Sequence, residues 1–96
     1  MCSENISVII PVRNEENMIE QCLEAVFNQT IKPFEVIVVD GHSADNTMKN
    51  AKKFPVKNVY EDYGTVGGAR QVGVKNAEGD CVAFTGAYYT RKIWNM

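Results

Sequence analysis

Four short segments of the chain hold most of the residues able to do chemistry on a bound ligand. Asp40 closes the apolar run Val36-Ile37-Val38-Val39 and is followed by Gly41 and His42. A carboxylate there can accept a hydrogen bond from the imide N–H of a uracil or the N–H groups of a guanine. It can equally brace the Gly41 turn, and spacing alone leaves both readings open. Gly64, Thr65, Gly67 and Gly68 form a glycine-rich entry to a helix, where backbone N–H groups can approach a phosphate. The pattern is neither G-x-G-x-x-G nor a P-loop, and plain turn geometry explains it as well. Arg70, one turn further on, can fork onto a phosphate or a base edge, and Arg13 brings the same group after Pro11 and Val12. For both, a solvated or ion-paired arginine is the alternative. His42 is the sole histidine and sits in a polar turn, with Glu61 and Asp62 as nearby carboxylates without an assigned role.

The elements that must position these residues follow from hydrophobic patterning. Ile6–Val12 reads as a strand, nearly continuous in apolar character as in a sheet covered on both faces. Asn14 is expected to cap a helix carrying Met18, Ile19, Cys22, Leu23, Val26 and Phe27 at helical spacing, with Glu15 and Glu16 in its first turn. Phe34–Val39 is the second strand. Ser43 is expected to cap a short helix through Met48, Ala51 and Phe54, which Pro55 stops. Val56–Tyr60 is the third strand. Val66 opens a third helix with Ala69, Val72, Gly73 and Ala77 on one face, and Gly79 follows it as a C′ residue. Asp80–Thr85 is the fourth strand. Alternation of this kind predicts an α/β, Rossmann-like doubly wound parallel sheet of four strands in the order 3-2-1-4, with three helices. Ligands of such sheets bind beyond the carboxyl ends of the strands, where strand order reverses. That rim gathers Pro11 to Glu15, Asp40 to Ser43, Glu61 to Gly68 and Gly86 onward.

Composition narrows the function classes. The chain has 96 residues, 45% hydrophobic and 23% charged, with a formal net charge of −2, which suits one globular domain and argues against non-specific nucleic-acid binding. No apolar stretch approaches the roughly 20 residues of a transmembrane helix. The polar start Met1–Asn5 reads as no signal peptide, so a cytoplasmic location is expected. Cys2, Cys22 and Cys81 are widely spaced, which supports neither a zinc site nor a disulfide framework; Cys22 and Cys81 are expected to be core residues.

Three runs together carry a family resemblance: Val8-Ile9-Ile10-Pro11-Val12-Arg13-Asn14-Glu15-Glu16, Glu35 to Thr47 through Val38-Val39-Asp40-Gly41-His42-Ser43, and Gly67-Gly68-Ala69-Arg70-Gln71-Val72-Gly73. In order and spacing they resemble the nucleotide-binding half of family-2 inverting glycosyltransferases of the GT-A fold, over residues 6 to 85. The resemblance implies a nucleotide-sugar donor, UDP-sugar favoured, and an acceptor that is unknown. It implies that Asp40 recognises the base, that Pro11, Val12, Arg13 and Glu15 line the nucleoside pocket, and that Gly68 and Arg70 lie beside the nucleotide. Many relatives carry a base-stacking tyrosine where Arg13 stands; arginine also stacks, which leaves the base open. Residues 1–96 are expected to form a single truncated domain of this kind, with a divergent tail over 86–96.

The pattern then breaks. The family's fourth strand runs into an Asp-x-Asp signature whose acidic positions fall at Gly86 and Tyr88. A manganese or magnesium ion bridging a donor diphosphate needs hard oxygen ligands, and none is supplied there. No residue can be nominated as catalytic base, so little or no activity is expected of this chain alone. A frameshift or premature stop near codon 86 would explain the abrupt tail, and translating the downstream DNA in the other two frames tests it: absence there of both an Asp-x-Asp and an acceptor domain rules it out. Strand 4 is expected to be a sheet edge and, with the aromatic tail, to drive homo-oligomer formation. Two further readings are a non-catalytic module that binds a partner through its open edge, and a half-enzyme completed by another chain.

Overall fold

A computed structural model describes residues 5–29, 32–62, 64, 66–84 and 87–90. The strands are β1 (Ile6–Val12), β2 (Glu35–Asp40), β3 (Lys57–Tyr60), β4 (Cys81–Phe84) and β5 (Ala87–Thr90), and the helices α1 (Ile19–Phe27), α2 (Thr47–Ala51) and α3 (Val66–Asn76). They form one sheet in the order β3-β2-β1-β4-β5. The first four strands are parallel, in the expected 3-2-1-4 order, and β5 runs antiparallel to β4. Strand 4 is therefore covered, which corrects its assignment as an edge: the tail residues Ala87–Thr90 fold back on it, and β5 and β3 take the outer positions. Residues 91–96 of the tail lie outside the described residues, as do Thr85 and Gly86.

Period-two alternation sorts the strands onto two cores. Ile9, Ile37, Val39, Val82 and Phe84 face α3 and pack with Ala69 and Ala77. Ile10, Val12, Val36 and Val38 face the other way, against Ile19 and Leu23 of α1 and Ala51 of α2. Val36 to Val39 are all at most 1% exposed, so this run contributes about 1.5–3 kcal/mol of apolar burial per side chain. Gly73 allows α3 to lie close on β1, since a Cβ there would stand 2.3 Å from Ile9 Cγ2. Cys22 is a half-buried free thiol whose pKa is raised by burial and then by the Glu15 carboxylate. Cys81 is a core residue as expected, buried beside Ile6 and Ala83, and it is disulfide-bonded.

At the amino ends of the strands a buried serine and a glutamate tie β1, β2 and the α3–β4 turn together. The Ser7 hydroxyl donates to Glu35 Oε2 at 2.6 Å and accepts from the Gly79 N–H at 2.9 Å, while the Glu78 N–H donates to the same Glu35 oxygen at 2.6 Å. Lys57 Nζ lies 3.4 Å from Glu35 Oε1. Burial opposes the Glu35 charge, but these donors and Lys57 outweigh it and hold the carboxyl below its usual range.

Candidate functional site

The site is built at the opposite rim, where β1 and β2 end and their loops interlock. Asn14 adopts a left-handed φ of 52°, a conformation its short polar side chain tolerates. Its N–H donates to Ser43 Oγ at 2.8 Å, and its Oδ1 accepts from the Ala44 N–H at 2.8 Å. The Glu15 N–H donates to Thr47 Oγ1 at 2.7 Å and the Glu16 N–H to Asp45 Oδ2 at 3.3 Å. Asn14 and Ser43 therefore do not cap helices as expected; they bind each other across two loops. The helices start later, at Ile19 and Thr47, without side-chain caps. Hydrogen bonding from the Thr47 hydroxyl holds the Asp45 carboxyl below its usual range.

Asp40 stands beneath this latch. It is 1% exposed, and its carboxylate accepts the Ser43 N–H at 3.1 and 3.2 Å together with the Ser43 hydroxyl. Its backbone joins the neighbouring strand ends: the Glu61 N–H donates to Asp40 O at 3.0 Å, and the Gly41 N–H to Val12 O at 2.9 Å. The bracing role considered for Asp40 is thus present in the fold.

A cavity of about 300 Å³ opens beside these strand ends, lined by Pro11, Val12, Arg13, Glu15, Gly41, Glu61, Gly64 and Ala69. Of the residues singled out in the sequence, Pro11, Val12, Arg13, Glu15 and Gly64 line it. Asp40, Gly68 and Arg70 do not, although their chain neighbours Gly41 and Ala69 do. Gly68 is buried near the start of α3. The Arg70 guanidinium carbon lies 5.2 Å from the centroid of the Phe84 ring, at the end of β4. His42, with a left-handed φ of 60°, turns to Asp62 with Nε2 2.6 Å from Oδ1 and stacks on Tyr60. It does not line the cavity.

Glu61 is the lining residue whose role sequence reasoning missed. It is 5% exposed, and its Oε2 accepts the Gly64 N–H at 3.0 Å. Its Oε1 lies 3.1 Å from where a Cβ on Gly41 would be, and Arg13 Cδ lies 3.6 Å from the same point. The absent side chain at 41 thus makes room for a carboxylate and an arginine stem at the cavity wall. The only available signal was an acidic residue directly after a strand, at the rim where ligands of such sheets bind.

Comparison with known proteins bears on the family and the fold. The sequence profile described as glycosyl transferase family 2 matches residues 7–87. A dolichyl N-acetyl-α-D-glucosaminyl phosphate 3-β-D-2,3-diacetamido-2,3-dideoxy-β-D-glucuronosyltransferase of Methanococcus voltae is 38% identical over 92 residues, covering 86% of this chain and 29% of the relative. Glucosyl-3-phosphoglycerate synthase of Mycobacterium tuberculosis, solved with Mn2+, UDP and glucosyl-3-phosphoglycerate, superposes with a TM-score of 0.76 at 26% identity, covering 85% of this chain and 33% of that one. TarS of Staphylococcus aureus superposes with a TM-score of 0.75 at 34% identity, covering 83% of this chain and 26% of that one. The chain thus spans a third or less of the length of these proteins.

The manganese in the synthase structure makes a divalent cation a question for this rim. Such an ion takes about six or more hard oxygen donors, usually with carboxylates among them. Positions 86 and 88 are glycine and tyrosine. Among the described residues, no three of His, Cys, Asp and Glu group in a way that could hold a metal ion. Asp40 is bonded to Ser43 and Glu61 to Gly64. The donor set of the described residues does not fit the ion. Among the described residues, no helix is long and apolar enough to cross a membrane.

Proposed function

The chain belongs to glycosyl transferase family 2, and from that premise we propose that it is a donor-binding domain whose cavity takes the nucleoside of a nucleotide-sugar, UDP-sugar favoured. One observation carries the reading: the cavity lies beside the carboxyl ends of β1, β2 and β3, on the side of the sheet where ligands of such folds bind, and is walled by Pro11, Val12, Arg13 and Glu15. The synthase of similar fold was solved with UDP, which supports uridine as the nucleoside. In this reading Asp40 recognises the base as well as bracing Ser43. The Ser43 bonds use three of the roughly four lone-pair positions of a carboxylate, so one more donor can be accepted. Gly68 and Arg70 lie toward the phosphates. The acceptor is unassigned, and this chain alone has little or no transfer activity, because among the described residues none at the rim is placed as a general base for an acceptor hydroxyl.

Titration with UDP, followed by amide resonances, tests the reading. Shifts at Val12, Arg13, Glu15 and Gly41 are expected, with GDP as the base-discriminating control. Silence at these amides with millimolar UDP overturns it.

A second reading rests on the sheet edges. β3 and β5 each have one strand neighbour, and open edges tend to pair, so we also propose self-association through β5. A monomer mass by sedimentation at micromolar concentration refutes that part and leaves the donor pocket unaffected.

A further inference from the structure

A nucleoside diphosphate brings two to three negative charges to this rim, and they must be offset both on binding and as the leaving group forms. Positions 86 and 88 carry no carboxylate, and among the described residues no group of acidic side chains could hold a cation. Among those residues two arginines stand at this rim: Arg13 lines the cavity, and Arg70 is the one whose guanidinium is held against an aromatic ring. Arg70 follows cavity-lining Ala69 directly, and its guanidinium lies over the ring of Phe84, 5.2 Å from the centroid. Phe84 is 5% exposed, ends β4 and belongs to the core facing α3. It is therefore a fixed platform for the guanidinium at the end of β4.

We propose that Arg70, seated on Phe84, replaces a divalent cation as the counter-charge of the donor's diphosphate. This inference rests on the donor-pocket reading and adds to it a metal-independent mode of binding. A guanidinium suits the task because it stays charged at any working pH and presents a planar fork to two phosphate oxygens. The ring contributes by ordering that fork in advance, which lowers the entropy lost on binding. Phe84 is then a positioning residue, and Arg70 the residue that touches the ligand.

The test compares UDP with uridine, titrated by calorimetry into the 96-residue chain in EDTA and again with manganese. UDP is expected to bind more tightly than uridine in EDTA, and manganese to change UDP affinity by less than about threefold. Arg70→Ala is expected to weaken UDP by about 10- to 100-fold, the range for a charged hydrogen bond, with uridine unchanged. Phe84→Leu should weaken UDP by a smaller factor with uridine unchanged, and Phe84→Tyr, which keeps the ring, should restore it. The unchanged uridine affinity reports that each variant remains folded. Equal wild-type affinities for UDP and uridine in EDTA overturn the proposal, as do tenfold tightening by manganese or equal losses of both ligands in Arg70→Ala. If neither ligand binds the wild-type chain, the donor-pocket reading itself fails and takes this proposal with it.

Discussion

Replacing Ser43 by alanine probes the strongest structural claim about the rim, that Asp40 and Ser43 form one brace holding the β1 and β2 loops together. The substitution removes a hydroxyl that donates to a carboxylate only 1% exposed and accepts from the Asn14 N–H at 2.8 Å. The Asn14 bond is exposed, so water replaces most of it. The Asp40 bond is charge-assisted and dry on the Asp40 side, and losing such a bond costs about 1.5–3 kcal/mol. Urea denaturation of Ser43→Ala should therefore show a loss of about 1.5–3 kcal/mol with an unchanged m-value. Asp40→Asn, with the double variant, closes a cycle. If the two residues act as a unit, their coupling should be at least about 1 kcal/mol. Additivity within about 0.5 kcal/mol would refute the brace and leave base recognition as the only role argued for Asp40.

The glycines of α3 make opposite predictions. Gly73→Ala drives a Cβ to 2.3 Å from Ile9 Cγ2, and overpacking of about 1–3 kcal/mol outweighs a helix-propensity gain of about 1 kcal/mol. Gly67→Ala meets nothing within 4 Å and should stabilise by up to about 1 kcal/mol; equal signs for the two in urea denaturation would refute the close α3–β1 approach. Glu35 predicts an acid limit. Its folded pKa lies below the ordinary 4.5, so its stabilising contribution is full above that value and is lost as pH falls through the lower folded one. Thermal melts between pH 6 and 3 should show a shallower acid decline for Glu35→Gln than for the wild type, and parallel curves would show that the Ser7–Glu35–Glu78 cluster carries no pH dependence.

What was legible in the sequence was what local pattern determines. The apolar runs Ile6–Val12 and Val36–Val39, and the alternation of strand with helix, lead to the 3-2-1-4 order because a covered parallel sheet admits few right-handed routes. The loops were misread where a distant partner decides. Asn14 before two glutamates has the composition of a helix cap, but Ser43, 29 residues away, captures its N–H and turns it left-handed. Glu61 looked like an ordinary loop acid; its burial depends on the missing side chain of Gly41, which only the β2–β3 register brings beside it. β5 was missed because Ala87–Thr90 follows the point where the family pattern breaks, and a four-residue strand carries too little periodicity to be read alone.

The same geometry changes the meaning of the motifs. Asn14, Glu15 and Glu16 of the first run bond to Ser43, Ala44, Asp45 and Thr47 of the second, so much of what makes the runs occur together is a requirement of loop geometry. The cavity wall itself draws on residues with little hydrogen-bonding freedom, Pro11, Val12 and Gly41, and on a few charged ones. Two kinds of variant should therefore separate. A change in the latch, such as Ser43→Ala, shifts the loop that carries Arg13 and Glu15, and stability and UDP affinity should fall together. A change at exposed Arg70 leaves the latch intact, so UDP affinity should fall while urea stability stays within about 0.5 kcal/mol of the wild type. Arg70→Ala with a stability loss matching that of Ser43→Ala would show instead that the Arg70–Phe84 contact is chiefly structural.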